Sequence, residues 1–202
     1  MPADPFPIHT AGINQPIERE AVMKTSALIL AFALISGPAL AENPMVGGAA
    51  MYENKNIVEN AVNSKDHTTL VAAVKAAGLV DALQGAGPFT VFAPVNDAFA
   101  ALPAGTVDTL LKPENKDMLT KILTAHVVAG KFTTAQMAAK AKASKDGYFN
   151  MVTLSGDNLS AKMKGGSLYI YDESGKAGKV TISDVEQSNG VIQVVNKVLL
   201  PK

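Results

Sequence analysis

Two hydrophobic patterns follow one another along this chain, and their order predicts its architecture. From Asn56 to about Ala143 apolar residues recur mainly at helical spacing. Asn56 is suited to cap a helix carrying Ile57, Val58, Ala61 and Val62. Leu70, Val71, Val74 and Ala77 form a second stripe, closed by Gly78 as a C-terminal stop. Leu79, Val80 and Leu83 make a short turn behind it. A third helix is predicted over about Asn115 to Ala125, its stripe being Leu119, Ile122, Leu123 and His126. It runs into the β-branched pair Val127-Val128, which should leave the helix. Thr133-Thr134-Ala135-Gln136 reads as a weak capping box for an Ala-rich helix ending near Ala143.

After Lys145 the period changes to two. Val152–Leu154, Leu159–Met163, Leu168–Ile170 and Val180–Ile182 alternate, separated by glycine-bearing turns. Ser188-Asn189-Gly190 is predicted as a type I′ hairpin turn. The run Val191 to Leu200 is apolar almost throughout, which predicts a central strand covered on both faces. One strand comes early: Gly87-Pro88 breaks the preceding helix, Phe89–Phe92 reads as buried strand, and Pro94 ends it. Asn96 is then expected to cap a helix and Asp97 to sit at its positive end. Helices mainly first and strands mainly last predict an α+β fold without internal repeats or a second domain.

The segment upstream changes the picture of where the protein works. Met23-Lys24, the apolar run Ala27–Ile35, Gly37-Pro38 and Ala39-Leu40-Ala41 have the form of a secretory signal peptide over 23–41, cleaved near Ala41. The run is too short to span a bilayer as a helix, and a buried core helix is the other reading. Residues 1–22 precede a plausible start at Met23 and read as a leader or over-long gene start. Residues 42–55 read as a flexible lead-in, and 56–202 as the folded domain.

Residues 42–202 carry 16 lysines and 15 Asp or Glu, so no net charge steers them to nucleic acid or anionic lipid. Arg19 is the only arginine of the chain, and cysteine is absent, which excludes disulfides and thiolate chemistry. The Gly-x-Ser-x-Gly elbow, the phosphate loop, His-Glu-x-x-His and the dinucleotide fingerprint are missing. No cofactor is expected.

Three segments resemble the fasciclin domain family. Thr90-Val91-Phe92-Ala93-Pro94-Val95-Asn96-Asp97-Ala98-Phe99 with Leu102-Pro103 is similar to the family's first block, and Ser188-Asn189-Gly190 through Pro201 to its second. His126-Val127-Val128-Ala129-Gly130-Lys131 matches the segment between them. The resemblance runs from about residue 56 to the C-terminus and implies a β-wedge with a layer of helices. It also implies an exported adhesion or matrix module. Thr90, Phe92, Pro94, Asn96, Asp97, Phe99, His126, Asn189 and Gly190 are the motif residues it assigns to the framework. The chain departs from the family at Ala125, often tyrosine, and at Gln193 and Asn196, often histidine and aspartate.

His126 is either a satisfied core histidine or a base, ligand or pH sensor. His67 lies in a polar stretch and is expected to be exposed. Two histidines within residues 42–202, without cysteine, argue against zinc. Asn115-Lys116-Asp117-Met118-Leu119 resembles an integrin-binding peptide of animal fasciclin proteins but stands in the wrong place. The corresponding place holds Ile182–Glu186, where Asp184 alone agrees, so Asp184 is the acidic candidate contact. Asp172-Glu173 reads as a solvated turn. Tyr169 and Tyr171, opposite Leu168 and Ile170, form either an exposed contact stripe or a cover for one side of the wedge. The expected function is an adhesion or extracellular interaction module without catalysis, in the periplasm, at the cell surface or in the medium. Its partner would be a surface or matrix protein, a glycan or a second copy. The rivals are a ligand or enzyme pocket near His126 and a purely structural envelope protein.

Overall fold

The computed structural model describes residues 43–202; the expected leader and signal peptide lie outside the described residues. The described residues open with a small hairpin, β1 (Met45–Val46) and β2 (Ala49–Ala50). Val46 and Met51 are buried in the core, so this stretch is docked rather than a loose lead-in. Helices α1 (Ile57–Ala61), α2 (Thr68–Ala77) and α3 (Val80–Gln84) follow, then β3 (Phe89–Pro94), α4 (Asn96–Ala100), α5 (Thr106–Leu110) and α6 (Lys116–Thr124). Strand β4 (Val127–Ala129) and α7 (Thr134–Ala143) lead to the consecutive strands β5 (Phe149–Val152), β6 (Asn158–Lys164), β7 (Ser167–Tyr171), β8 (Ala177–Gln187) and β9 (Gly190–Val195).

Local chemistry explains the helix ends. Asn56 and Thr133 each form a reciprocal capping box, with Glu59 and Gln136 respectively. Gly78 closes α2 at φ 73°, a left-handed position that glycine adopts without strain. The buried residues of α2 (Leu70, Ala73, Val74, Ala77) and α6 (Leu119, Ile122, Leu123) are those their stripes predict.

The main sheet has seven strands in the order β4-β3-β9-β8-β7-β6-β5. Strands β3 and β9, second and third in that order, pair in parallel from Phe89 opposite Gly190 to Pro94 opposite Val195. All six residues of β9 are buried, as a strand covered on both faces requires. The two edges of the sheet meet: Val128 bridges Thr153, and the Leu154 N–H donates to the Val127 carbonyl at 2.8 Å. The sheet is therefore a nearly closed wedge. One core packs α1–α6 against β3, β8 and β9, around Ile57, Leu70, Phe99, Leu123 and Val194. A second fills the wedge beneath α7, around Phe92, Met137, Met151, Ile170 and Leu199.

Long β8 serves both halves of the wedge. Its register slips between Val180 and Ile182 and again between Ile182 and Val185. Asp184 sits in the second slip at φ 56°, the one non-glycine residue with positive φ among the described residues.

Three local expectations change. The apolar run to Leu200 is strand only as far as Val195. Beyond it Val198 and Leu199 remain buried, because they plug the end of the wedge rather than extend the ladder. The strand expected at Val152–Leu154 lies earlier, since Thr153 and Leu154 turn away to close the sheet. Asn189 and Gly190 both have negative φ, so their turn is not type I′; the residues are needed for other reasons.

Candidate functional site

The motif residues converge on the β3–β9 junction, where nearly every polar side chain is bonded inward. Thr90 is fully buried; its hydroxyl donates to the Gly130 carbonyl (2.6 Å) and accepts from the Phe132 N–H (2.9 Å). Phe92 is also fully buried, and its N–H donates to the His126 carbonyl at 2.9 Å. Pro94 ends β3 beside Val195. Phe99 anchors α4 in the helical core, and Asp97 is exposed in the first turn of that helix.

Asn96 does not cap its own helix. Its Oδ1 accepts from the Thr69 N–H (3.0 Å) and the Thr68 hydroxyl (3.2 Å), and its Nδ2 donates to the Lys65 carbonyl (2.8 Å). It caps α2, a helix distant in sequence, which supplies the same kind of orphan N–H.

Asn189 joins three segments. Its Oδ1 accepts from the Ile57 N–H at 3.1 Å, and its Nδ2 donates to the carbonyls of Leu83 (2.8 Å) and Gly85 (3.0 Å). Gly190 lets two backbones touch, since a Cβ there would stand 2.1 Å from the Phe89 carbonyl oxygen. A Cβ on Gly87, which stands at φ 49°, would come equally close to the Asn189 carbonyl oxygen.

His126 follows α6 and is 3% exposed. Its Nδ1 donates to the Ile122 carbonyl (2.8 Å), and its Nε2 accepts from the Leu199 N–H (2.9 Å). Both nitrogens are thus occupied by backbone, in the neutral tautomer with the proton on Nδ1. Burial pushes its pKa down to about 4. This ring ties α6 to the C-terminal plug.

His67 corrects an expectation: it is 3% exposed, with Nδ1 2.9 Å from the Ser64 hydroxyl and Nε2 without a partner. Burial lowers its pKa too. A 3-10 turn over Lys65–His67 swings the ring inward against Val46, Met51 and Ile192. Asp172 is likewise buried, not solvated. Its carboxylate accepts from the N–H groups of Ser174, Lys176 and Leu200 and from the Ser174 hydroxyl.

Asp184 is spent inside the bulge of β8. Its Oδ1 accepts from the Thr134 N–H and the Gln193 amide, both at 2.7 Å, while Gln193 Oε1 accepts from the Asp184 N–H at 3.1 Å. Only Oδ1 of this half-buried carboxylate is taken up in this way. Sequence reasoning missed Asn60, whose amide pairs with both backbone groups of Tyr52 and with Gln187. Its place on the apolar face of α1 was the available signal.

A cavity of about 70 Å3 lies between α1, α2, α3, α6 and the sheet, touched by His126. Its walls are apolar apart from Lys75, Thr124 and His126, and His126 has no nitrogen left for it. No cluster of metal-ligating side chains occurs among the described residues, and no helix among them is long and apolar enough to cross a membrane. Tyr169 and Tyr171 are half-buried on the outer face of the sheet, with Leu168 and Ile170 buried behind them.

This framework is a recognised one. The chain belongs to the fasciclin domain family, whose model matches residues 65–201. It is 47% identical to protein sll1483 of Synechocystis over 194 residues, covering 89% of this chain and 99% of that protein. It is 32% identical to the immunogenic protein MPB70 of Mycobacterium bovis, covering 87% and 92% respectively. The fold matches a FAS1 domain pair from the insect cell adhesion molecule fasciclin I with a TM-score of 0.65 at 19% identity. That match takes in 72% of this chain and 51% of the pair.

Proposed function

We propose that this protein is an exported module for adhesion or extracellular interaction that binds through an extended outer surface and carries out no reaction. The observation that carries this reading is the inward bonding of the motif. Thr90, Asn96, His126 and Asn189 all spend their side-chain polar atoms on the chain's own groups, so recognition falls to the exterior. The fold shared with a domain pair of an insect cell adhesion molecule supports the same class of role.

In this proposal residues 23–41 direct export, cleavage falls near Ala41, and the domain works in the periplasm, at the cell surface or in the medium. The partner is a surface or matrix protein, a glycan or a second copy. An attachment assay on the purified protein, with cells and with extracellular matrix at low and moderate salt, tests it. Attachment is expected; failure on every surface removes the adhesive reading.

A further inference from the structure

Charge is unevenly divided along the fold. Residues 43–125 hold six lysines against eight carboxylates, whereas 126–202 hold ten lysines against six. Part of that excess gathers on the outer face of the strands β6, β7 and β8. In register, Lys162 stands opposite Tyr169, and Tyr169 opposite Lys179. Tyr169 is therefore flanked by a lysine on each neighbouring strand. Lys164 continues the same face at the end of β6. Tyr171, two residues along, packs edge-on against Tyr148 with ring centres 5.5 Å apart. The Lys162 ammonium lies 4.1 Å from the centre of the Tyr148 ring.

Carboxylates stand at the margins. Asp146 is exposed in the loop beside Lys162, held by the Ser144 hydroxyl and the Tyr148 N–H. Glu173, at the far end, accepts from the Asn158 N–H. None falls within the Lys-Tyr-Lys row. The remaining outward positions nearby are small and polar: Asn150, Ser160, whose hydroxyl donates to Asn150, and Ser167.

We infer that this outer face binds an acidic polysaccharide lying across the strands, a sugar ring against Tyr169 and its anionic groups on Lys162 and Lys179. The inference rests on the extracellular reading above and names the partner within it. Lys162 to Lys179 spans two inter-strand steps, about 10 Å, the reach of a pair of linked pyranose rings. A tyrosine offers a flat apolar ring with a hydroxyl at its tip, which suits a ligand apolar on one face and hydroxylated at its edge. Ammonium groups on both sides select a ligand with repeated negative charge, and the hydroxyl and amide side chains around them suit a hydroxylated one.

The test uses the full chain, with heparin, polygalacturonate, dextran and poly-glutamate as probes in affinity electrophoresis and calorimetry at low salt. Binding to at least one of the two acidic polysaccharides and not to dextran is expected. Lys162→Gln with Lys179→Gln, and separately Tyr169→Ser, should each weaken it roughly tenfold or more while the circular dichroism spectrum stays unchanged. Lys75→Gln with Lys116→Gln, on the helical side, should leave it unchanged. No binding of either acidic polysaccharide, equal binding by the outer-face variants, or equally tight binding of poly-glutamate would overturn the inference. Attachment of cells or matrix that persists when polysaccharide binding is absent would sink the inference alone. Loss of all attachment would sink the adhesive reading itself.

Discussion

The two ends of the wedge are held together by different means. At the β3–β9 end, backbones separated by about a hundred residues touch at Gly190 and Phe89, and the side chains of Asn189, Thr90 and His126 bond to distant backbone groups. At the β5–β7 end, neighbouring strands pair in simple antiparallel register, and alternating side chains divide between core and solvent. The first end depends on particular atoms in particular places. The second depends on a repeating pattern, so single changes there are absorbed more readily and the outer face is free to vary towards binding.

Substitutions at matched positions sharpen that contrast. Gly190→Ala drives a methyl group into the Phe89 carbonyl, so it should cost at least about 5 kcal/mol and prevent folding at ordinary temperature. Gly178→Ala, in β8 and towards the other end, places a Cβ at ordinary contact distances of 3.5–3.6 Å. It should change stability by no more than ~1 kcal/mol. Urea denaturation of the two variants compares them directly. Equal midpoints would mean that the close approach at Gly190 is not a real constraint.

Phe92→Ala empties a fully buried site in the wedge core and should cost about 3–5 kcal/mol. A negligible shift in denaturation midpoint would show that β3 is misplaced.

Acid should loosen the junction before it loosens the outer strands. His126 is neutral in the fold with its pKa lowered to about 4, against 6.5 for an unperturbed histidine. The unfolded chain therefore binds the proton first as pH falls. The stability this contributes is complete above pH 6.5 and is lost on descending towards pH 4, amounting to roughly 3 kcal/mol. His67 acts in the same direction. Urea titrations at several pH values should show this slope, and His126→Gln should flatten it. An unchanged slope in that variant would mean that His126 does not carry it.

The smallest contrast concerns single hydrogen-bonding side chains. Asn189→Ala leaves the Ile57 N–H and two carbonyls without their partner and should cost about 2–3 kcal/mol. Ser160→Ala removes an exposed contact with Asn150 on the outer sheet and should stay within ~0.5 kcal/mol. Thermal melts of both variants check the pair.

The same contrast explains what could be read from the chain alone. Periodic stripes located α2, α6 and the strands β6 and β7, because burial of one face is a local property of sequence spacing. Asn56 and Thr133 were legible as caps because their partners, Glu59 and Gln136, lie three residues away. Asn96 has the right chemistry for a cap, yet it serves α2 across the fold; residue type shows the capacity to bond and not the partner. His67 and Asp172 sit among polar neighbours and looked solvated. A tight turn at each brings the polar group inward, where backbone N–H groups or a hydroxyl receive it. Asn189-Gly190 was recognisable as special, though for a turn geometry it does not adopt. Its role in joining three segments appears only once Ile57 and Leu83 are beside it.

The most direct measurement is attachment to cells or matrix by three folded proteins side by side: the unaltered chain, His126→Gln, and Lys162→Gln with Lys179→Gln. If the motif is framework and the exterior recognises, the His126 variant attaches as the unaltered chain does and the lysine variant attaches less. Loss of attachment in a correctly folded His126 variant, with the lysine variant unaffected, would contradict the account.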